Sequence, residues 1–366
     1  MIRMSLSQDA SGELTGRESH AGNVRQLPRT AVARLAGFVS VCLLLAPPLW
    51  FFGCGGGDGS APTGGSADVS SSDAPAPGSR GTIGVTLLTF ENPFFKVIAD
   101  NIEAEAARQG YSVVALSADE DPAKQSQQVA DFVVQKVAAI VISPAETRSV
   151  LPAVQRAAAA GIPVFTVDIP IESDEVEVIS QIATDNKGGG RLAAEAMIEA
   201  IGSGKVAILH YQQAESCRLR VEGFLEVIAE HNSASDEKIE IVATLESGAA
   251  KDGGLQAAAD AMQANPDLRG IFAINDPAAL GAVAAVETAK RTGQVVIVGF
   301  DGQPEGKQAI KEGTIYADPI QFPDRMGKLV VESIIAHLKG KEVPAKQLIP
   351  TELYRQADAA ADPELK

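Results

Sequence analysis

Short, almost uninterrupted apolar runs recur along this chain and alternate with stretches that favour helices. Examples are the runs at residues 138–143 (AAIVIS), 162–167 (IPVFTV) and 295–300 (VVIVGF). Runs of this kind indicate parallel strands that are covered by helices on both faces. The chain has 366 residues, which is long for one hydrophobic core and predicts two domains. We therefore expect an α/β fold made of two doubly wound, Rossmann-like lobes with right-handed crossovers.

Proline and glycine mark the predicted ends of the helices. Asn92-Pro93 and Asp121-Pro122 each combine an N-cap side chain with a proline at the first helical position. Gly110 is placed to end the first helix. The pattern predicts strands at residues 82–88, 111–117, 138–143, 162–167, 205–209, 240–245, 270–275 and 295–300. Helices are predicted after Asn92 and at 122–134, 147–159, 218–229, 250–264, 277–289 and 323–338.

Four of the apolar runs stop at a polar residue that could contact a ligand. These residues are Asn92, Asp168, Asn275 and Asp301, and they come from both halves of the chain. In open α/β sheets, ligands bind beyond the carboxyl ends of the strands. The sequence therefore predicts one cleft between two lobes, which binds a small polar molecule and catalyses no reaction.

Charge and composition exclude several classes of partner. The formal net charge of −16 disfavours nucleic acid, because binding to phosphates needs a basic surface. The 3 cysteines cannot form a disulfide framework, and the 4 histidines show no metal-ligand spacing. We expect no metal and no cofactor, and we expect the protein to be a monomer.

The first 54 residues read as an export leader. A polar segment with arginines precedes an apolar stretch at residues 35–52, which is the order found in export signals. Pro47 and Pro48 would disrupt a helix there. The stretch ends at Phe52-Gly53-Cys54, which resembles a bacterial lipoprotein signal with Cys54 as the lipidated residue, although Phe52 is atypical. An uncleaved membrane anchor remains the alternative. Both interpretations place the rest of the chain outside the cytoplasm.

Residues 55–81 are rich in Gly, Ser, Ala, Pro and Asp. A segment of this composition cannot bury enough apolar surface to fold. We interpret it as a flexible tether whose mean reach is about 25–30 Å. It would hold a folded domain near the membrane and leave it free to turn.

Four motifs in the remaining chain occur in a recognisable order: NPFF at residues 92–95, AIND at 273–276, VGFDG at 298–302 and QFP at 321–323. Together they resemble the type I periplasmic sugar-binding proteins, and most closely the ribose-binding members. The resemblance covers about residues 82–355. It implies two lobes joined by three crossings, which close over one sugar and deliver it to the permease of an ABC transporter in the membrane.

The resemblance also implies boundaries and sugar contacts. The N-terminal lobe would comprise residues 82–183 and 322–349, and the C-terminal lobe residues 184–321 and 350–366. The implied ligand contacts are Asn92, Phe94, Phe95, Asp168, Arg218, Asn275, Asp301 and Gln321. Their chemistry suits a sugar, because aromatic faces cover C–H groups while carboxylates, amides and a guanidinium bind hydroxyls.

Each of these residues also has a structural alternative. Asn92 and Asn275 could serve only as helix N-caps, the two phenylalanines could be core, and the two aspartates could belong to turns. Arg218 could pair with Glu222 four residues along a helix. Arg220 is expected to be the surface residue of the two neighbouring arginines.

Four positions depart from the ribose-binding pattern. They are Leu88, Ser143, Ile169 and Ala249, and at Ile169 an apolar side chain stands where the family has an arginine. Glu91, Tyr211 and Gln213 follow predicted strands and could supply substitute contacts. The ligand is therefore expected to be a ribose-like pentose, a hexose or a related polyol.

The sequence bears on three alternative functions. An enzyme lacks support, because no nucleophile with a base and no phosphate-binding loop is recognisable; the glycines at 188–190 fit close packing better than anion binding. An effector domain of the lactose-repressor group would need an N-terminal DNA-binding motif, where this chain has a leader and a tether. A sugar-sensing module that signals to a membrane sensor remains open.

Overall fold

The structure, a computed structural model, describes residues 80–365. The predicted leader with Cys54 and nearly all of the predicted tether lie outside these residues. The described strands are β1 (Thr82–Leu87), β2 (Ser112–Ser117), β3 (Ala139–Ile142), β4 (Val164–Val167), β5 (Ser180–Thr184), β6 (Gly204–His210), β7 (Ile239–Glu246), β8 (Leu268–Ala273), β9 (Val296–Val298), β10 (Ala317–Ile320), β11 (Lys346–Ile349) and β12 (Glu352–Arg355). The described helices are α1 (Pro93–Arg108), α2 (Pro122–Gln135), α3 (Leu151–Ala159), α4 (Asn186–Ile201), α5 (Glu215–Ala234), α6 (Lys251–Ala264), α7 (Asp276–Thr288), α8 (Pro304–Glu312), α9 (Pro323–Leu338) and α10 (Gln356–Ala361).

The strands form two sheets with the same winding. The first has the order β11-β5-β4-β3-β1-β2, and the second has the order β12-β10-β9-β8-β6-β7. All neighbouring strands are parallel except β10 and β12, which run antiparallel. The strand order reverses beside β1 in the first sheet and beside β6 in the second. Sheets of this kind bind ligands at such a switch point. The prediction of two doubly wound lobes is confirmed.

Helices cover both faces of each sheet. In the first sheet, α1 packs against α9 on one face and α2 against α3 on the other. In the second, α4 packs against α5 on one face and α6 against α7 on the other, with α8 and α10 beside them. We call each sheet with its helices the first lobe and the second lobe.

Buried apolar residues alternate between the two faces of the central strands. In β3, Ala139 and Val141 join the core under α1 and α9, whereas Ile140 and Ile142 join the core under α2 and α3. All four are fully buried. This two-sided burial explains why the strands read as continuous apolar runs in the sequence.

The chain passes between the two sheets at three places. It leaves the first sheet at Thr184 and enters α4 of the second lobe, it returns between β10 and α9 near Gln321, and it crosses again between β11 and β12. The exact lobe boundaries at residues 183/184, 321/322 and 349/350 stay a prediction.

Some element ends differ from the sequence-based prediction. Helix α3 begins at Leu151 rather than at residue 147, and α5 spans Glu215–Ala234 rather than 218–229. The short strands β5, β10, β11 and β12 and the helices α8 and α10 were not predicted, and no bounds were predicted for α4. Strands β5 and β11 each begin with two consecutive polar residues, Ser180-Gln181 and Lys346-Gln347, so they lack the continuous apolar pattern of the central strands.

Candidate functional site

The predicted site residues follow the carboxyl ends of strands in both sheets. Leu88 follows β1, Ser143 follows β3 and Asp168 follows β4 in the first lobe. Asn275 and Asp301 follow β8 and β9 in the second lobe at the corresponding sheet edge, and Gln321 follows β10. The two sheets therefore present these side chains at their ligand-binding edges.

Asp301 is held by two donors on the same oxygen. Its Oδ1 accepts from Nη1 of Arg220 over 2.7 Å and from Nε2 of Gln321 over 2.7 Å. Its backbone has a φ of 107°, and the following Gly302 has a φ of 75°, so the chain turns sharply after β9. The side chain is 11% exposed. The carboxylate is thus oriented by the protein and still borders open space.

Gln321 joins this carboxylate to the first lobe. Its Oε1 accepts from the hydroxyl of Thr184 over 2.6 Å while its Nε2 donates to Asp301. Thr184 ends β5 at the first crossing, and Gln321 lies at the second crossing. The hydrogen bonds therefore run from the last residue of a first-lobe strand to a candidate ligand contact of the second lobe.

Asp168 faces the second lobe from the end of β4. Its backbone has a left-handed φ of 64°, which turns the chain immediately after the strand. Burial raises the pKa of its carboxyl to about 6; the Arg220 guanidinium lowers the pKa and the Asp301 carboxylate raises it. Because Arg220 and Asp301 both belong to the second lobe, Asp168 and Asp301 share one electrostatic environment across the two lobes.

The two arginines of α5 differ in burial, and Arg220 does not lie at the surface as expected. Arg220, expected at the surface, is 5% exposed and donates to Asn186, to the carbonyl of Ile274 and to Asp301. Arg218 is exposed, and its Nη1 donates to the backbone carbonyl of Gln212 over 2.8 Å. The expectation for Arg220 was wrong, because α5 turns that side chain toward α4 and the end of β9.

The alternative pairing of Arg218 with Glu222 is not formed. Glu222 instead bonds Lys187 of α4 over 2.7 Å. Most N–H groups of the Arg218 guanidinium therefore make no hydrogen bond to the residues that the structure describes. Its assignment as a sugar contact stays a prediction.

Asn275 acts as the N-cap of α7 in the structure. Its Oδ1 accepts from the amide of Ala278 over 3.1 Å, and its Nδ2 donates to the carbonyl of Ala249 over 2.9 Å. Asn92 caps α1 in the same way, accepting from the amide of Phe94 over 3.0 Å. Both side chains thus have a structural role, and a ligand contact would be additional to it.

Phe94 and Phe95 have different environments. Phe95 is 4% exposed and belongs to the core under α1 and α9, whereas Phe94 is partly exposed at its margin. Their rings meet edge to face, with centroids 5.4 Å apart. Phe94 is therefore the more exposed of the two rings.

The positions that depart from the family pattern, and their possible substitutes, lie at the same sheet edges. Ser143 is fully buried and its Oγ has no hydrogen-bond partner among the described residues. The other six side chains are partly buried or exposed: Leu88, Glu91, Ile169, Tyr211, Gln213 and Ala249. Their contact with a ligand stays a prediction.

A buried carboxyl pair lies behind the site, and the sequence analysis missed it. Asp276 begins α7 next to Asn275, and Asp318 lies in β10 three residues before Gln321. They are 1% and 0% exposed, and a protonated Asp276 would donate to the Asp318 carboxylate, whose two oxygens have no other hydrogen-bond partner among the described residues. Burial and mutual repulsion hold the pKa of Asp276 well above its usual range, and burial raises the pKa of Asp318 to about 6.

The glycines at 188–190 serve packing. A Cβ at Gly190 would lie 2.0 Å from the carbonyl oxygen of Arg220, so only glycine allows α4 to approach α5 this closely.

Within residues 80–365, no three His, Cys, Asp or Glu side chains are grouped so that they could hold a metal ion. None of the helices in that part of the chain combines the length and apolar character needed to cross a bilayer.

Comparison with known proteins matches this architecture. A family model described as periplasmic binding protein domain matches residues 83–342. The ribose import binding protein of Escherichia coli is 34% identical over 276 residues, which cover 75% of this chain and 90% of that protein. A D-apiose import binding protein of Paraburkholderia graminis is 32% identical over 291 residues, covering 76% of this chain and 88% of that protein.

Solved structures with bound ligands superpose on most of the chain. A periplasmic solute-binding protein of an ABC transporter from Actinobacillus succinogenes, with bound D-allose, gives a TM-score of 0.70 at 25% identity and covers 77% of this chain and 100% of its own. A solute-binding protein from Mycobacterium smegmatis with bound glycerol gives a TM-score of 0.66 at 31% identity, covering 77% of this chain and 96% of its own.

Proposed function

The chain belongs to the periplasmic binding protein family, and we propose that it captures a monosaccharide or polyol between its two lobes and passes it to an ABC importer. The observation that carries this proposal is the placement of Asp168 at the carboxyl end of β4 in the first sheet and of Asp301, bound by Arg220 and Gln321, after β9 in the second. Relatives named as import binding proteins for ribose and D-apiose, and one named as a D-allose-binding periplasmic protein, support the class of ligand.

The proposed ligand contacts are those of the sequence analysis. Asp168 and Asp301 would accept hydrogen bonds from hydroxyl groups, and Phe94 would cover an apolar face of the ring. Asn92 and Asn275 would add amide bonds beyond their capping roles, and the remaining proposed contacts are Phe95, Arg218 and Gln321.

Lobe closure is the proposed mechanism of capture. A ligand that contacts both lobes at once stabilises the closed arrangement relative to the open one. The three crossings would act as the hinge, with the lobe boundaries given above. We propose that the closed lobes form the surface that the importer recognises.

The relatives described above are solute-binding proteins rather than enzymes, and we propose that this chain, too, catalyses no reaction.

Membership in this family implies an extracytoplasmic location. We propose further that residues 1–54 are a lipoprotein leader, that Cys54 carries the lipid, and that residues 55–81 tether a monomeric binding domain to the membrane. The Phe-Gly-Cys sequence at residues 52–54 and the Gly/Ser-rich composition after it support this proposal.

A thermal-shift screen tests the function directly. The full chain is heated with D-ribose, D-allose, D-apiose, D-tagatose, D-fucose, myo-inositol and glycerol in parallel. A ligand that binds only the native state raises the melting temperature, by an amount that grows with its concentration. At least one compound is expected to do so, and small-angle scattering is then expected to show a smaller radius of gyration at saturation. No shift with any compound would count against the proposal.

A further inference from the structure

The first sheet has an edge that lies opposite the candidate ligand site. It is formed by the amino ends of the strands, because parallel strands of one sheet begin at the same edge and the connecting helices end there. The amide of Arg80, the first described residue, donates to the carbonyl of Gly110 over 2.8 Å just before β1. The chain therefore enters the first lobe from the predicted tether at this edge, and we call the segments before β1, β3, β4 and β11 the entry pole.

Cations without an ion-pair partner are concentrated at the entry pole. The first-lobe cations that form ion pairs with described residues are Lys96, Arg108, Lys124, Arg325 and Lys328. Those at the entry pole form none with the described residues, and all are exposed: Arg80, Lys136, Arg156, Lys339, Lys341 and Lys346. Arg148, which also lacks such a partner among the described residues, follows β3 at the ligand-binding edge.

Hydrogen bonds and helix packing bring these segments together. The amide of Ala138 donates to the carbonyl of Thr82 over 2.7 Å, so the segment with Lys136 lies beside the start of β1. Helix α9 packs against α1, so the segment that follows α9 lies near the end of α1. Exposed carboxylates also occur there, at Glu103, Asp131 and Glu342. The entry pole therefore has an excess of cations, although the whole chain has a formal net charge of −16.

Exposed aliphatic side chains accompany these cations. Val134, Leu338 and Leu348 are 80%, 40% and 47% exposed, and each lies within two residues of one of the cations. They are three of the six large apolar side chains that the described residues expose. Basic and aliphatic side chains on one surface suit an anionic membrane, because the cations attract the headgroups and the apolar groups enter the interface.

Compensation of helix dipoles does not account for the difference between the two lobes. A cation near the last turn stabilises any helix, yet helices of the second lobe end beside carboxylates: Asp236 and Glu237 after α5, Glu287 in α7 and Glu312 in α8. At that pole Lys205 is bound to Asp267 over 3.0 Å. The corresponding poles of the two lobes therefore differ in charge.

We propose that the entry pole docks on a membrane surface of anionic phospholipid, with its cations on the headgroups and its exposed aliphatic side chains in the interface. The end of the tether supports this choice of partner, because the proposed anchor keeps the pole within about 25–30 Å of the bilayer. The inference goes beyond the capture of a sugar and rests on the proposed anchoring only for the nearness of a bilayer. Docking would hold the ligand-binding edge of the first sheet away from the lipid.

Energy transfer from tryptophan to a dansyl-labelled lipid headgroup tests the proposal without any sugar. The full chain is reconstituted in vesicles of phosphatidylcholine, alone or mixed with phosphatidylglycerol. Ala107→Trp places an exposed probe at the end of α1 beside the entry pole, and Ala264→Trp places one at the end of α6 in the second lobe. The wild type, whose single tryptophan is Trp50, gives the background.

The orientation of the chain decides the result. Phosphatidylglycerol is expected to raise the transfer from residue 107 about twofold or more and to leave that from residue 264 unchanged. Salt at about 1 M is expected to abolish the gain, because it screens charges that are more than about 3 Å apart. Equal transfer from residue 107 in both kinds of vesicle would overturn the proposal. A gain that is equal at both probes would indicate adsorption without orientation, which also contradicts it.

Removal of charge identifies the surface. Arg80→Gln, Lys339→Gln and Lys341→Gln are combined in the chain with Ala107→Trp, and circular dichroism checks that it folds. The ratio of docked to undocked chain is expected to fall on the order of a hundredfold, since each cation near an anionic surface contributes about fivefold.

The matched control removes the same charge from exposed positions elsewhere, with Arg148→Gln, Lys251→Gln and Lys290→Gln, and is expected to keep the gain in transfer. The proposed function fails separately, in the sugar screen, because none of these substitutions changes a proposed ligand contact. A gain in transfer that is the same in the two triple variants would contradict docking through the entry pole.

Discussion

Gln321 connects two lobes through one side chain: it donates to Asp301 over 2.7 Å and accepts from Thr184 over 2.6 Å. Because Thr184 ends a strand of the first lobe and Asp301 follows a strand of the second, this amide couples the hinge to the candidate site. The two bonds therefore connect residues of the first and second crossings, Thr184 and Gln321, with the carboxylate that follows β9.

Replacing this amide is expected to weaken ligand binding. Gln321→Met keeps the approximate volume but removes both bonds and leaves the Asp301 carboxylate with Arg220 alone. The expected loss is about tenfold in affinity, since a buried hydrogen bond contributes about 1–2 kcal/mol. Titration calorimetry with the sugar found in the screen measures it. The exposed Gln308→Met on α8 is the matched control, and an affinity equal to that of the control would exclude Gln321 from the site.

The carboxyl pair of Asp276 and Asp318 is expected to make stability depend on pH. Burial raises the pKa of Asp318 to about 6 in the folded protein, above its value in the unfolded chain. A carboxyl with a raised pKa contributes its full stability at low pH and loses it as the pH rises through about 6. The free energy of unfolding should therefore fall by about 2–3 kcal/mol between pH 4 and pH 7.5 from this group alone.

The variant Asp318→Asn tests that expectation. Its amide can donate to Asp276 without adding a second charge, so its free energy of unfolding at pH 7.5 should exceed that of the wild type and fall less steeply with pH. Urea unfolding at several pH values measures both quantities. The exposed Asp174→Asn should behave as the wild type does. A destabilised Asp318→Asn at pH 7.5 would show that the pair is stable with both carboxyls charged.

Substitution of the two adjacent phenylalanines is expected to affect different properties, sugar affinity at residue 94 and stability at residue 95. Phe94 lies partly exposed at the margin of the core, whereas Phe95 is buried within it. Phe94→Ala is expected to lower sugar affinity with little change in melting temperature. Phe95→Ala is expected to cost about 3–5 kcal/mol of stability, because it leaves a cavity. Calorimetric titration and thermal melts compare the two, and the reverse pattern would place the ligand-facing ring at residue 95.

Cys54, which lies outside the described residues, is expected to carry the lipid. When the full chain is expressed in a bacterial host with an alkyne-labelled fatty acid, the wild type should incorporate the label. Cys54→Ala should not, and Cys42→Ala is the matched control that keeps it. Label retained in Cys54→Ala would show that another residue is modified, and no label in the wild type would favour an uncleaved anchor.

The fold was predictable from the sequence because its central strands are buried on both faces and its helices begin at clear caps. Asn92-Pro93 and Asp121-Pro122 both begin helices at the expected residue. Strands such as β11 and β12 were missed because they are short and mix polar with apolar residues, so their pairing is decided by the sheets they join.

The candidate site was less predictable than the fold. Residues 218 and 220 are separated by about 200° around a helix, so only one of them can face the interior. Which of the two arginines faces the interior depends on how α5 packs against α4, and the local sequence does not determine that packing. The buried pair Asp276 and Asp318 was missed for the same reason, since residues 42 positions apart meet only in the fold.

Calorimetry on two carboxylates, one from each lobe, tests the central claim most directly. The sugar found in the screen is titrated into the full chain, into Asp168→Asn and into Asp301→Asn. One sugar per chain is expected to bind the wild type, and each substitution is expected to lower the affinity about 10–100-fold while the protein stays folded. Unchanged affinity in either variant would contradict a ligand held between the two lobes by Asp168 and Asp301.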